Sequence, residues 1–78
     1  MWYVYFLQLK NDDIYVGSTN NLRQRLPMRE KGLVRSTREY RPLCLRAYAA
    51  VDSELRARQL EIYFKSGSGK AIAKKRFL

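Results

Sequence analysis

The stretch that most constrains this chain is residues 14–29, IYVGSTNNLRQRLPMR. It begins β-branched and aromatic, reaches Gly17, runs through Ser18, Thr19, Asn20 and Asn21, and continues with leucines and arginines at helical spacing. That order describes a short strand, a polar turn and a helix start. Such a layout suits anions, because the first N–H groups of a helix have no intrahelical partner and point outward. Tyr15 leaves from the strand, Gly17 lets the backbone turn, and the helix aims Arg25 over the strand's end.

A chain of 78 residues buries roughly 60% of its unfolded surface, so one small core and one domain, 1–78, are expected. Six Tyr, three Phe and one Trp supply that core and argue against disorder. The lone Cys44 excludes an internal disulfide and a cysteine metal cluster, and in a strand it reads as a small buried hydrophobe. Histidine is absent, which removes the commonest general base and metal ligand. The apolar first nine residues lack a basic leader and are followed by Lys10, Asp12 and Asp13, so neither a signal peptide nor a membrane span is expected. A soluble cytoplasmic protein follows. Sixteen Lys and Arg against seven Asp and Glu give +9, with basic clusters at 35–41 and 70–76. A field of that strength fits a phosphate polymer as partner.

Residues 2–9 form a strand with Trp2, Val4 and Phe6 on one face and Tyr3, Tyr5 and Leu7 on the other. A return strand over 14–17 puts Tyr5 and Tyr15 on one face only if the loop is odd or bulged, so a three-residue loop, Asn11 to Asp13, or a bulged hairpin is expected. Asn20 or Asn21 caps the first helix, Leu22 and Leu26 face inward, and Pro27 should break the helix near Leu26 before a turn at Lys31 and Gly32. Residues 33–42 read as a basic loop, 43–51 as a third strand and 54–65 as a helix with Leu60, Tyr63 and Phe64 inward. Ser66-Gly67-Ser68-Gly69 should stop it before a short basic helix at 70–76. The order ββαβαα gives an α/β (α+β) domain on a three-stranded, mostly antiparallel sheet flanked by helices.

A metal-assisted phosphodiester nuclease needs a carboxylate for a divalent ion, a group that takes a proton from water, and cations for phosphate. Glu61, in mid-helix beside Leu60 and Phe64, is the carboxylate that fits; an ordinary i,i+4 ion pair with Lys65 fits it equally well. Tyr5 and Tyr15 are either packing residues or, without histidine, the available bases. Arg25 is a surface cation or a bidentate phosphate clamp. Ser66 to Lys70 resembles half of a phosphate-binding loop, but no strand precedes it; it can cap a helix and offer backbone amides to a phosphate.

Taken together, Tyr3-Val4-Tyr5, Tyr15-Val16-Gly17, Leu22-x-x-Arg25-Leu26 and Ala57-x-x-x-Glu61-x-x-x-Lys65 resemble the GIY-YIG nuclease superfamily. The chain looks most like its small stand-alone bacterial members and is similar to the nuclease domain that makes the 3′ incision in bacterial excision repair. The resemblance implies a hydrolytic cut in a nucleic-acid strand supported by one divalent ion, Mg²⁺ or Mn²⁺. DNA is expected ahead of RNA, with no small-molecule cofactor. No recognition helix with base-reading Asn, Gln or Arg at clear spacing is visible, so an endonuclease directed by structure rather than base sequence is expected. The resemblance also implies Tyr5 as general base, Tyr15 positioning water or phosphate, Gly17 allowing close approach, Arg25 on the scissile phosphate and Glu61 as metal ligand. Arg29, Arg35, Arg38, Lys65, Lys70 and Lys74 stand as further nucleic-acid contacts. Two positions depart from the pattern: Tyr3 replaces the first glycine, and Arg29 replaces a histidine that the family frequently carries one turn after the arginine. Arginine binds phosphate but is no base at neutral pH. A non-catalytic DNA- or RNA-binding module on the same scaffold is the alternative.

Overall fold

Alternating bulky residues in the first seven positions after Met1 make a strand that both neighbours can cover, and it becomes the centre of the sheet. In the computed structural model, which describes residues 1–32, 39 and 41–77, the order is β1 (Trp2–Gln8), β2 (Ile14–Thr19), α1 (Leu22–Glu30), β3 (Cys44–Val51), α2 (Glu54–Lys65) and α3 (Gly67–Arg76). The expected ββαβαα order and α+β class hold. The three strands are antiparallel in the order β2-β1-β3. Among the described residues no helix is long and apolar enough to cross a membrane.

Tyr5 pairs with Gly17 and Leu7 with Tyr15, so Tyr5 and Tyr15 share a face as parity required. The tight loop has three residues but is Lys10 to Asp12, one position earlier than expected. Leu9 N–H donates to the Asp13 carbonyl at 2.8 Å, and Asp12 takes φ 65°. A turn followed by one left-handed residue is a standard three-residue hairpin, and an Asp tolerates that conformation better than most side chains.

The opposite face carries Val4, Phe6, Ile14 and Val16, which pack with Ala57 of α2 and Ala73 of α3; Leu60 and Phe64 lie against this core. The Phe6 and Phe64 rings meet edge to face, centroids 5.0 Å apart. Tyr63, expected inward, is 43% exposed: the apolar stripe of α2 ends at Phe64, and Tyr63 lies outside it. Cys44 is exposed, not buried, because α2 packs over β1 and β2 and leaves most of β3 uncovered.

Asn21 caps α1, accepting from Gln24 N–H at 3.1 Å. The helix runs through Pro27 with no break at Leu26. Pro27 still accepts from Lys31 N–H at 3.0 Å. The donor that proline lacks would have reached the Arg23 carbonyl, and both residues are exposed, where a missing backbone bond costs least. Gly32, at φ 78°, follows as the expected turn.

The Ser66–Gly69 stretch does not separate two helices by a linker. Ser66 ends α2 and caps α3, its Oγ accepting from Gly69 N–H at 3.1 Å, so the last helix begins at Gly67 and not at Lys70. A Cβ on Gly69 would run into the Tyr63 carbonyl oxygen and the Phe64 backbone. Glycine stands there because two helices touch at backbone distance.

Candidate active site

The stripe of α2 that faces the sheet is Ala57, Leu60, Glu61 and Phe64, spaced i, i+3, i+4, i+7. Three members are apolar and one is a carboxylate, whose side chain is only 19% exposed. A carboxylate in that position needs donors. Ser18 Oγ donates to Glu61 Oε1 at 2.5 Å, and Lys65 Nζ donates to Oε2 at 2.8 Å. Burial pushes the Glu61 pKa upward, but the bonds from Lys65 and Ser18, with the positive charges of Lys65 and Arg58, outweigh it and hold the group below its ordinary value. Lys65 is raised above its ordinary value, first by its bond to Glu61 and, against the cost of burial, by the charges of Glu61, Tyr15 and Tyr5. Its Nζ lies 6.0 Å from the centroid of the Tyr15 ring.

Tyr5 is completely buried, whereas Tyr15 is half-buried. Gly17 lies between the phenols: a Cβ there would be 2.5 Å from Tyr5 Oη and 3.1 Å from Tyr15 Cε1. The structure therefore sets Tyr5, Tyr15 and Gly17 together on one face of the sheet and Ser18 with Glu61 on the other, and Lys65, bonded to Glu61, is the group that lies near both.

Arg25 stands in a neighbouring cleft of about 270 Å³, walled by Thr19, Asn20, Asn21, Gln24 and Met28; neither tyrosine nor Glu61 lines it. Lys70 lies on another side, 3.9 Å from Asp13, and Lys74 is exposed on α3. Arg35, Arg38 and the side chain of Arg29 lie outside the described residues, as does most of the basic 33–42 loop. The Gly69 amide, one of those expected to face a phosphate, is taken by Ser66 Oγ.

Sequence reasoning missed Ser18. Reading Gly17 as the end of the strand placed Ser18 in the turn. Carrying the strand period two residues further would have put it on the face of Val4 and Phe6, toward α2, where it pairs opposite Val4.

A comparison with protein families matches residues 1–76 to the GIY-YIG catalytic domain. The chain belongs to the GIY-YIG family, a family of nucleases, and its fold is of nuclease type. Neither curated proteins nor solved structures give a match.

Proposed function

We propose that this chain is a divalent-metal-dependent endonuclease that hydrolyses phosphodiester bonds in DNA and responds to substrate structure rather than base sequence. The observation that carries the reading is Glu61, a largely enclosed carboxylate held below its ordinary pKa and bonded to Lys65, whose ammonium lies 6.0 Å from the centre of the half-buried Tyr15 ring. Glu61 would be the protein ligand, and among the described residues no cluster of three or more His, Cys, Asp or Glu offers a ready-made cage. That donor set fits Mg²⁺ or Mn²⁺, hard ions that keep several waters and use one or two carboxylates with substrate phosphates. When bound, such an ion supplies Lewis-acid polarisation of the phosphate and charge neutralisation.

The chain's own groups divide the remaining work. Water adds to phosphorus, one P–O ester bond breaks, and the departing oxygen takes up a proton from solvent. The role of meeting water falls to Tyr15, because Tyr5 has no exposed surface; the Tyr15 phenol oxygen is the group that takes the proton of the attacking water. Tyr5, lodged against Gly17, fixes the strand end that carries Tyr15. Arg25 clamps the phosphate from the neighbouring cleft, and Lys65 adds positive charge.

The test is cleavage of branched, nicked and plain duplex DNA with Mn²⁺. Glu61→Ala, Arg25→Ala and Tyr15→Phe should each lower the rate about a hundredfold or more, while DNA binding in EDTA persists. Cleavage by Glu61→Ala at the wild-type rate would refute the proposal. A second reading, a non-catalytic binding module, draws on the occupation of both Glu61 oxygens by Ser18 and Lys65. It expects salt-dependent binding with no cleavage at any metal concentration.

A further inference from the structure

A second cleft, of about 370 Å³, lies between the start of α1 and the sheet face that carries Tyr3 and Tyr48. Nothing in the reaction described above uses it. Tyr3 and Tyr48 come from adjacent strands and meet edge to face, centroids 6.0 Å apart at 65°. Tyr48 is 57% exposed, so most of its ring is open to solvent. Leu22 and Leu26 complete an apolar wall, and Asn20 and Arg23 supply the polar one. Among the described residues neither the Asn20 carboxamide nor the Arg23 guanidinium has a hydrogen-bond or ion-pair partner. The cleft shares Asn20 and Asn21 with the one that holds Arg25.

We propose that the Tyr3–Tyr48 cleft receives the base of an unpaired DNA nucleotide whose neighbouring phosphate lies at Arg25. An open aromatic ring is a stacking platform for any base, but only for a base whose face is free; in a duplex both faces are stacked on neighbours. A carboxamide presents a donor and an acceptor together, and a guanidinium presents donors only, which suits the edges of bases with carbonyl and ring-nitrogen acceptors. The +9 charge of the chain selects a polyanion over an aromatic peptide as the occupant. Base in one cleft and phosphate in the next make a contiguous track across the β2–α1 turn. This rests on the proposal that the substrate is DNA and sharpens it: the preferred substrate has an unpaired nucleotide beside the phosphate that Arg25 clamps. A lone surface tyrosine resting on a sheet edge is the competing explanation, and it gives no preference between single strand and duplex.

The experiment measures binding in EDTA, so its result stands whatever the cleavage assay gives. A fluorescein-labelled short oligothymidylate and a blunt duplex of equal length are titrated by anisotropy at fixed salt. Wild type should favour the single strand. Tyr48→Ala should weaken single-strand binding about tenfold or more and leave duplex binding unchanged, and Tyr48→Phe should match wild type. Because Tyr48 is exposed, the substitution leaves the core intact, which circular dichroism checks. A 2-aminopurine placed in the oligonucleotide should be quenched by wild type and Tyr48→Phe and not by Tyr48→Ala. Equal loss on both substrates, or no loss on either, overturns the proposal.

Discussion

A methyl group on Gly17 would sit 2.5 Å from Tyr5 Oη, 2.6 Å from Tyr5 Cζ and 3.1 Å from Tyr15 Cε1. Tyr5 cannot swing away, because it is fully buried in the central strand. Gly17→Ala should therefore cost about 1–3 kcal/mol, which in a domain of this size lowers Tm by several degrees, roughly 4–8 °C per kcal/mol. Removing the phenol oxygen with Tyr5→Phe deletes only the first collision, since Cζ remains. The double variant Gly17→Ala/Tyr5→Phe should consequently stay well below Tyr5→Phe alone in a thermal melt. Full recovery in the double variant would show that the ring has room to move and that Gly17 is not the wedge between the phenols.

The junction of α2 and α3 makes the same point with two glycines only two residues apart. A Cβ on Gly69 would lie 2.7 Å from the Phe64 Cα and closer still to the Tyr63 carbonyl oxygen, backbone atoms that no rotamer change relieves. A Cβ on Gly67 would meet nothing within 4 Å. Gly69→Ala should cost about 3 kcal/mol, at the upper end for overpacking, while Gly67→Ala should be neutral or stabilising by about 0.5 kcal/mol through the unfolded chain. Urea midpoints of the two variants on opposite sides of wild type are the expected result; equal destabilisation would mean that glycine is needed for backbone freedom and not for contact. This junction also shows what a sequence can and cannot convey. Strand and helix periods were legible, so the ββαβαα order could be read directly, while Tyr5, Tyr15, Arg25 and Glu61 stood out as candidates by residue type and by their resemblance to the family's motifs. Glycine is ambiguous, because breaking an element and making room for a neighbour look alike in one dimension. That ambiguity ended β2 at Gly17, hid Ser18, and delayed α3 to Lys70. How far a helix covers each strand depends on tertiary packing, which no local pattern encodes, so Cys44 was expected inside.

For the whole molecule, +9 on so small a body means that each of the seven acidic groups offsets a strong self-repulsion. Glu61 is more than an offset, because its bond to Ser18 ties together parts of the chain 43 residues apart. Its native pKa lies below the ordinary 4.5, so its contribution to stability is complete above that value and is lost as pH falls through the lowered one. Lys65 lies above its ordinary 10.5; its contribution is complete below that value and is lost only as pH rises through the raised one. Between these limits the pair contributes fully and stability from this source is flat. Acidification removes the anion from between two donors while the net positive charge grows. Glu61→Gln keeps the shape but cannot titrate, and the other carboxyl groups titrate in both proteins and cancel in the difference. The Tm gap between wild type and Glu61→Gln should therefore be constant from about pH 8 to about pH 6 and close progressively toward about pH 3. A gap that does not change with acid would mean that Glu61 is not held as an anion by Ser18 and Lys65. It would then lack the charge that the proposed hydrolysis asks of it.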